Sequence, residues 1–349
     1  MLNLLILIAV VLGIIALSKV VKVLEQASTV KGVQPYEVTE RDNKTQANLM
    51  PVFLVLYFAF IVWQLVAWGD FMLPEAASEH GVVVDGLMNT TWIIIIPVFV
   101  ITHILLFYFA WKYVYNKDRK AEYFPHNNKL EILWTAIPAL VLLILILYGL
   151  SIWNETMKPL TAEDDPVEIE IYARQFDWTA RYPGEDGKFG KADVKLIGGV
   201  NSLGMDSTDQ NSWDDKLVKA EFVIPVNRPV QFYFRSQDVI HSAYMPHFRA
   251  QMNCVPGMVT RFNFVPTKTT EEMRDITGDP EFYYQLLCNK ICGAAHYNMG
   301  MEITVVSEED YEEWLAEQKV FMTVEGNTSA ANETTTETEE EKNEQLSSL

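Results

Sequence analysis

The chain has 349 residues, is 49% hydrophobic and carries a formal charge of −19. Residues 1–153 hold ten basic and eleven acidic residues between long apolar runs, residues 154–322 hold sixteen against twenty-eight, and the stretch from 323 onward has one lysine against seven glutamates. The first part excludes a wholly soluble protein, and the acidity of the second argues against a nucleic-acid partner, because it has the sign of the phosphate backbone.

Four apolar runs come first: Leu2 to Leu17, Met50 to Trp68, Trp92 to Trp111 and Ile132 to Ile152. A helix needs about 17 to 20 such residues to span hydrocarbon, so four transmembrane helices are expected, the first being the shortest. Trp63, Trp68, Trp92, Trp111, Trp134 and Trp153 cluster near the run ends, where interfacial anchors belong. Lys19, Lys22, Lys31, Arg41 and Lys44 lie between the first two runs, and Lys112, Lys117, Arg119, Lys120 and Lys129 between the last two, while residues 69–91 have no Lys or Arg. Basic loops stay in the cytoplasm, which places both termini outside and exports everything after the fourth run. A cleaved signal peptide is a poorer reading of the first run: it lacks a basic start and an Ala-x-Ala site, and cleavage would leave a basic segment outside. Inside the third run His103 is expected to turn toward protein and join two helices. The fourth run opens with His126-Asn127-Asn128-Lys129-Leu130-Glu131, so Glu131 falls in the first helical turn, where the helix dipole favours a carboxylate.

From Val167 the apolar period becomes two, as in a half-buried strand. Further strands are expected at residues 221–224, 229–235, 259–265, 282–286 and 301–306, which together make an antiparallel sandwich. Residues 187–215, rich in Gly, Ser, Asp and Asn, read as an insertion or long loop. Ser307 before Glu308-Glu309-Asp310-Tyr311 marks a capped helix with Tyr311, Trp314 and Leu315 on one face. Residues 323–349 have too little apolar content to fold and are expected to be disordered.

The chemistry lies in Cys288-Asn289-Lys290-Ile291-Cys292-Gly293-Ala294-Ala295-His296-Tyr297-Asn298-Met299 and in His241, 47 residues upstream. Two thiolates can bridge two copper ions, two imidazoles can each cap one, and a thioether can add a weak axial bond. The alternatives are a Cys288–Cys292 disulfide, or a zinc site, which methionine and the lack of carboxylates disfavour. Cys254 is expected to be a small buried hydrophobe and His247 a non-ligand.

This set resembles subunit 2 of the haem-copper cytochrome c oxidases, whose cupredoxin domain carries the dinuclear CuA centre, and the resemblance extends over roughly residues 89–319. It implies bridging thiolates Cys288 and Cys292, imidazole ligands His241 and His296, thioether ligand Met299 and the main-chain carbonyl of residue 290. The family has glutamate there, which also serves a magnesium ion; here it is Lys290, so magnesium is doubtful. Glu131 matches the family's carboxylate at the mouth of a proton path, and Phe176 and Trp178, in Arg174-Gln175-Phe176-Asp177-Trp178, match the aromatic residues at the electron entry. The resemblance also implies a cupredoxin-like all-β domain at 154–322 and a family-type hairpin at 89–153, which leaves an extra hairpin at 1–68 and an acidic tail at 323–349. The implied function is electron entry from cytochrome c, or from a haem c domain of a partner, and delivery to haem in a catalytic subunit that reduces oxygen. The implied location is the bacterial inner membrane, with the copper domain in the periplasm. Rivals are the electron-transfer domain of nitrous oxide reductase, a quinol-oxidase subunit without copper and a copper-delivery protein. The hairpin, the full ligand set and its enclosed character respectively speak against them.

Overall fold

The computed structural model describes residues 2–30, 39–199 and 201–321. They form two compact units, one from residues up to 70 with 93–133, the other from 71–92 with the described residues from 134 onward. The expected disordered tail lies outside the described residues.

Four long helices come first: α1 (Leu2–Val30), α2 (Glu40–Trp68), α3 (Glu79–Lys112) and α4 (Asn128–Thr156). Among the described residues three helices, α2, α3 and α4, are long and apolar enough to cross a membrane. The fourth expected span forms the first half of α1, which is not among them; Lys19, Lys22 and Glu25 lie in its second half. A capping box starts α2, with Thr39 Oγ1 accepting from the Asp42 N–H at 3.2 Å and Asp42 Oδ2 accepting from the Thr39 N–H at 3.1 Å. In the first unit α2 meets α3 along an aromatic seam, with Phe53 and Phe107 ring centroids 5.5 Å apart and Tyr57 stacked on His103 at 5.6 Å. His103 Nδ1 lies 2.8 Å from the Phe99 carbonyl. It is thus a satisfied interhelical histidine, as an ionisable group at membrane depth has to be.

Among the described residues ten strands come after them: β1 (Val167–Arg174), β2 (Asp177–Tyr182), β3 (Lys216–Val218), β4 (Glu221–Pro225), β5 (Val230–Ser236), β6 (His241–Met245), β7 (Ala250–Cys254), β8 (Thr260–Phe264), β9 (Tyr284–Cys288) and β10 (Gly300–Val306). Helix α5 (Thr270–Thr277) precedes β9, and α6 (Glu308–Glu317) comes after β10. Two five-stranded sheets result, in the orders β3-β2-β1-β5-β8 and β4-β10-β9-β6-β7. The expected purely antiparallel sandwich is corrected here, because β1 pairs with β5 and β10 with β4 in parallel. The chain leaves each sheet and returns to it beside a strand of the same direction, which alternation within a strand does not reveal. Between the sheets lie Ile169, Ile171, Trp178, Phe222, Phe232, Phe234, Tyr284 and Ile303, each no more than 1% exposed. Ser307 Oγ caps α6 by accepting from the Asp310 N–H at 3.2 Å, and Trp314 meets Tyr182 edge-on at 5.5 Å, as the apolar face predicts.

Two ties were not legible in the sequence. The described residues of 187–215 are irregular as expected, and the stretch from 183 to 215 is fixed to β2 at its described residues by Arg181, 1% exposed, whose guanidinium holds Glu170 of β1 at 2.8 Å, Asp215 and the Gly190 carbonyl. The segment before α3 is laced to the sandwich: the Ala77 N–H donates to the His247 carbonyl at 2.8 Å, and the Thr267 N–H to the Ala77 carbonyl at 2.9 Å. Arg249 completes the lacing with a two-pronged pair to Asp85, both contacts 2.8 Å.

Candidate metal centre

His241 opens β6 and Cys288 closes β9, and these strands are antiparallel neighbours, with Ala243 opposite Cys288. A rigid sheet therefore sets one imidazole beside one thiol. The other donors come from the loop between β9 and β10, which turns back through a short 3-10 segment, His296–Asn298, so that the Cys288 N–H donates to the Met299 carbonyl at 3.1 Å. Gly293 makes the turn possible. Its φ is +146°, and a Cβ there would sit 2.8 Å from Gln175 Nε2 and 2.9 Å from the Phe176 ring.

The donor atoms converge. Cys288 Sγ lies 3.9 Å from Cys292 Sγ, and both thiols are free, so the disulfide alternative is not what the structure contains. His241 Nδ1 is 3.8 Å from Cys288 Sγ, His296 Nδ1 is 3.6 Å from Cys292 Sγ, and Met299 Sδ is 3.8 Å from Cys292 Sγ. The Lys290 carbonyl oxygen is 3.2 Å from Cys288 Sγ. The donor atoms of His241, Cys288 and Cys292 all lie within 4.8 Å of one another. His241, Cys292 and Met299 are buried, while Cys288 and His296 are half-buried.

Neighbouring groups hold the donors in place. His241 Nε2 lies 2.8 Å from Asp238 Oδ1, which leaves Nδ1 to face the sulfurs. Burial alone would raise the Asp238 carboxyl, but hydrogen bonds from His241 and from the N–H groups of Gln175 and Val239 outweigh it and hold the group below the usual carboxylate range. Gln175 Nε2 donates to the Cys292 carbonyl. Burial, and then the neighbouring Cys288 thiol, push Cys292 up to about 11, so a metal entering here has to displace protons.

The remaining sequence candidates occupy different places. Phe176 is half-buried and packs on Gly293, whereas Trp178 is 1% exposed and meets His241 edge-on at 6.1 Å, beneath the donors. Cys254 pairs in register with His241 and is fully buried, its thiol pushed up to about 12 by burial. His247 lies away from the donors, against Phe282 and Tyr284 at ring distances of 5.2 and 5.4 Å. Glu131 is exposed at the start of α4, where its Oε1 accepts from the Asn127 N–H at 3.4 Å. Asp238 was missed in the sequence, although a carboxylate three residues before a candidate ligand histidine was the available signal.

The donor set fits soft, redox-active copper: two thiols, two imidazoles, a thioether and a carbonyl, with the one nearby carboxylate already engaged. Comparison with known proteins agrees. Residues 63–152 match the family described as cytochrome C oxidase subunit II, transmembrane domain, and residues 168–306 match its periplasmic domain. An alternative cytochrome c oxidase subunit 2 of Bradyrhizobium diazoefficiens is 34% identical over 281 residues, 80% of this chain and 92% of the relative. A cytochrome c oxidase subunit 2 of Cereibacter sphaeroides is 27% identical over 256 residues, 70% of this chain and 78% of the relative. A probable cytochrome c oxidase subunit 2 of Rickettsia bellii is 31% identical over 211 residues, 60% of this chain and 70% of the relative. With two family domains matched in order over well more than half of its length, the chain belongs to the cytochrome c oxidase subunit 2 family and is an electron-entry subunit of a haem-copper oxidase.

Proposed function

We propose that His241, Cys288, Cys292, His296 and Met299, with the main-chain carbonyl of Lys290, hold the pair of copper ions of a CuA centre. The carrying observation is the pairing of donors: each thiol has its own imidazole nitrogen, at 3.8 and 3.6 Å, and its own weak further donor, the Lys290 carbonyl beside Cys288 and Met299 beside Cys292. When bound, such a pair takes up and releases one electron with little rearrangement. Asp238 orients His241, Gln175 ties down the loop, and Phe176, half-buried against Gly293, offers the contact from the donor's side. Trp178 is too deeply buried to touch a donor and serves beneath His241.

The test is copper content and electron paramagnetic resonance of the full chain. Two coppers sharing one unpaired electron are expected, with Cys288→Ser abolishing the delocalised signal and Met299→Leu retaining copper. A single localised copper in the wild type would overturn the assignment.

The donor is cytochrome c or a haem c domain of a partner, and the acceptor is haem in the catalytic subunit. Lys290 contributes no magnesium ligand, since an ammonium cannot coordinate a cation; its charge stands where the family has a carboxylate. The chain sits in the bacterial inner membrane with the sandwich in the periplasm, α1 making a fourth crossing, and residues 1–68 form a hairpin added to the family pair at 89–153. Glu131 collects protons on the opposite side, so Glu131→Ala is expected to slow steady-state turnover of the assembled oxidase while copper reduction in stopped flow stays unchanged. Equal turnover would leave Glu131 as a helix-start carboxylate only.

A further inference from the structure

Where α2 begins and α3 ends, in the first unit, the two helices enclose a groove of about 470 Å³ lined by Lys44, Asn48, Tyr108, Trp111 and Lys112, with Ala47 among its lining residues. Lys44 and Asn48 are four residues apart on α2, as Tyr108 and Lys112 are on α3, so each pair shares one helix face. No acidic residue lines the groove, and neither lysine forms an ion pair among the described residues. Trp111 Nε1 donates to Asn48 Oδ1 at 3.2 Å, which orients the amide and leaves its NH2 group to donate. Lys112 Nζ donates to the Tyr108 hydroxyl at 2.7 Å, which leaves two ammonium hydrogens and the phenolic proton. The groove thus presents two positive charges and neutral donors with no competing anion.

Its depth identifies what it faces. Lys44 and Asn48 lie just before the apolar run that starts at Met50, and Trp111 ends the run that gives way to Lys112. Indole and phenol rings of this kind sit at headgroup level. Beside the groove the helices expose Leu49, Val52 and Phe53 on α2 and Ile104 and Leu105 on α3, between 41% and 54% exposed, along which acyl chains can lie. Lys117, Arg119, Lys120 and Lys129 come after this end of α3, and such basic loops stay on the cytoplasmic side.

We propose that this groove binds the phosphate of an anionic phospholipid from the cytoplasmic leaflet. A zwitterionic headgroup would bring an ammonium toward two others, so charge selects phosphatidylglycerol over phosphatidylcholine. The site would anchor the added helix α2 to α3 through a lipid as well as through the aromatic seam.

The test is native mass spectrometry of the full chain in detergent, titrated with phosphatidylglycerol or phosphatidylcholine of the same acyl chains. Phosphatidylglycerol is expected to bind more tightly, with affinity falling about 5-fold for Lys44→Gln or Lys112→Gln and about 30-fold for both, at roughly 1 kcal/mol per surface cation. Lys19→Gln with Lys22→Gln, basic positions on α1 outside the groove, is expected to change it by less than about 2-fold. Equal binding of the two lipids by the wild type would overturn the proposal without recourse to any variant. So would a double groove variant of unchanged helix content that retains phosphatidylglycerol. Displacement of the lipid by an equal concentration of inorganic phosphate would identify a free-phosphate site and overturn the lipid assignment.

Discussion

Strands β1 and β2 anchor two irregular stretches by opposite means. At their connecting turn, Gln175 and Phe176 hold the loop of proposed metal ligands, the metal loop, through one side-chain amide and one ring face against Gly293. Farther along β2, Arg181 holds the 183–215 insertion through a buried guanidinium shared between two carboxylates and a carbonyl. The insertion is tied by groups that pair with one another within the protein, Arg181 with Glu170, Asp215 and the Gly190 carbonyl. The metal loop is tied by its backbone and its glycine, which keeps its sulfur and imidazole atoms available as ligands. A loop that must bind something is fixed from outside its donors, whereas a loop that only covers a sheet can spend its polar groups on its own attachment.

The largest effect that sharpens this contrast is expected at Arg181. Arg181→Met strands Asp215 in the interior with only the Gly190 N–H, and removal of one partner from a buried ion pair costs about 3 to 5 kcal/mol. Urea unfolding of the full chain in detergent measures the loss, and copper resonance is expected to be unaltered. Adding Asp215→Leu removes the orphaned charge and is expected to return much of the stability. A single variant as stable as the wild type would show that the insertion is held by its apolar contacts, Leu203 and Met205 against Tyr172, instead.

The opposite pattern is expected at the metal end. Asp238→Asn keeps the shape but weakens the acceptor for His241 and for the N–H groups of Gln175 and Val239. Losing such support for a ligand lowers metal affinity by about 10- to 100-fold. Copper competition with a chelator would read this, while unfolding of the copper-free chain is expected to change little. A variant that loses stability and keeps its copper affinity would erase the distinction between the two anchors.

The proposed copper ligands were legible because the chemistry dictates residue types at close spacing, and five side chains fall within two short segments. The strands around them were legible where alternation is clean, as in β1 and β10. Strands β2, β3, β6 and β7 were not, since they are short or carry functional residues on one face: β6 is His241-Ser242-Ala243-Tyr244-Met245, with no apolar period to see. The lacing of residues 74–85 onto the sandwich was invisible for another reason. It depends on Arg249 meeting Asp85, 164 positions apart, and on backbone groups of small residues. Phe176 and Trp178 look equivalent in sequence, and burial alone separates them.

The smallest expected effect tests whether the two ends of β6 differ, one end carrying a proposed metal ligand and the other serving the packing of the fold. His247, just past β6, has its Nδ1 buried without a partner, and burial first, then the Arg249 charge, push the imidazole down to about 4 from 6.5. Above pH 6.5 neither the folded nor the unfolded chain binds this proton. Between 6.5 and about 4 the unfolded chain binds it and the folded chain does not, so stability falls as pH falls, levelling off once the folded ring is also charged. The ceiling is about 3 kcal/mol, and solvent access reduces it. His80, also held low mainly by burial, adds a loss of the same sign. His247→Gln keeps the carbonyl that receives the Ala77 N–H and removes one titrating group, so its unfolding free energy is expected to depend less steeply on pH across this window than that of the wild type. Identical slopes for the two chains would mean that the ring stays solvated in the folded state, and the packing role assigned to that end of β6 would fail.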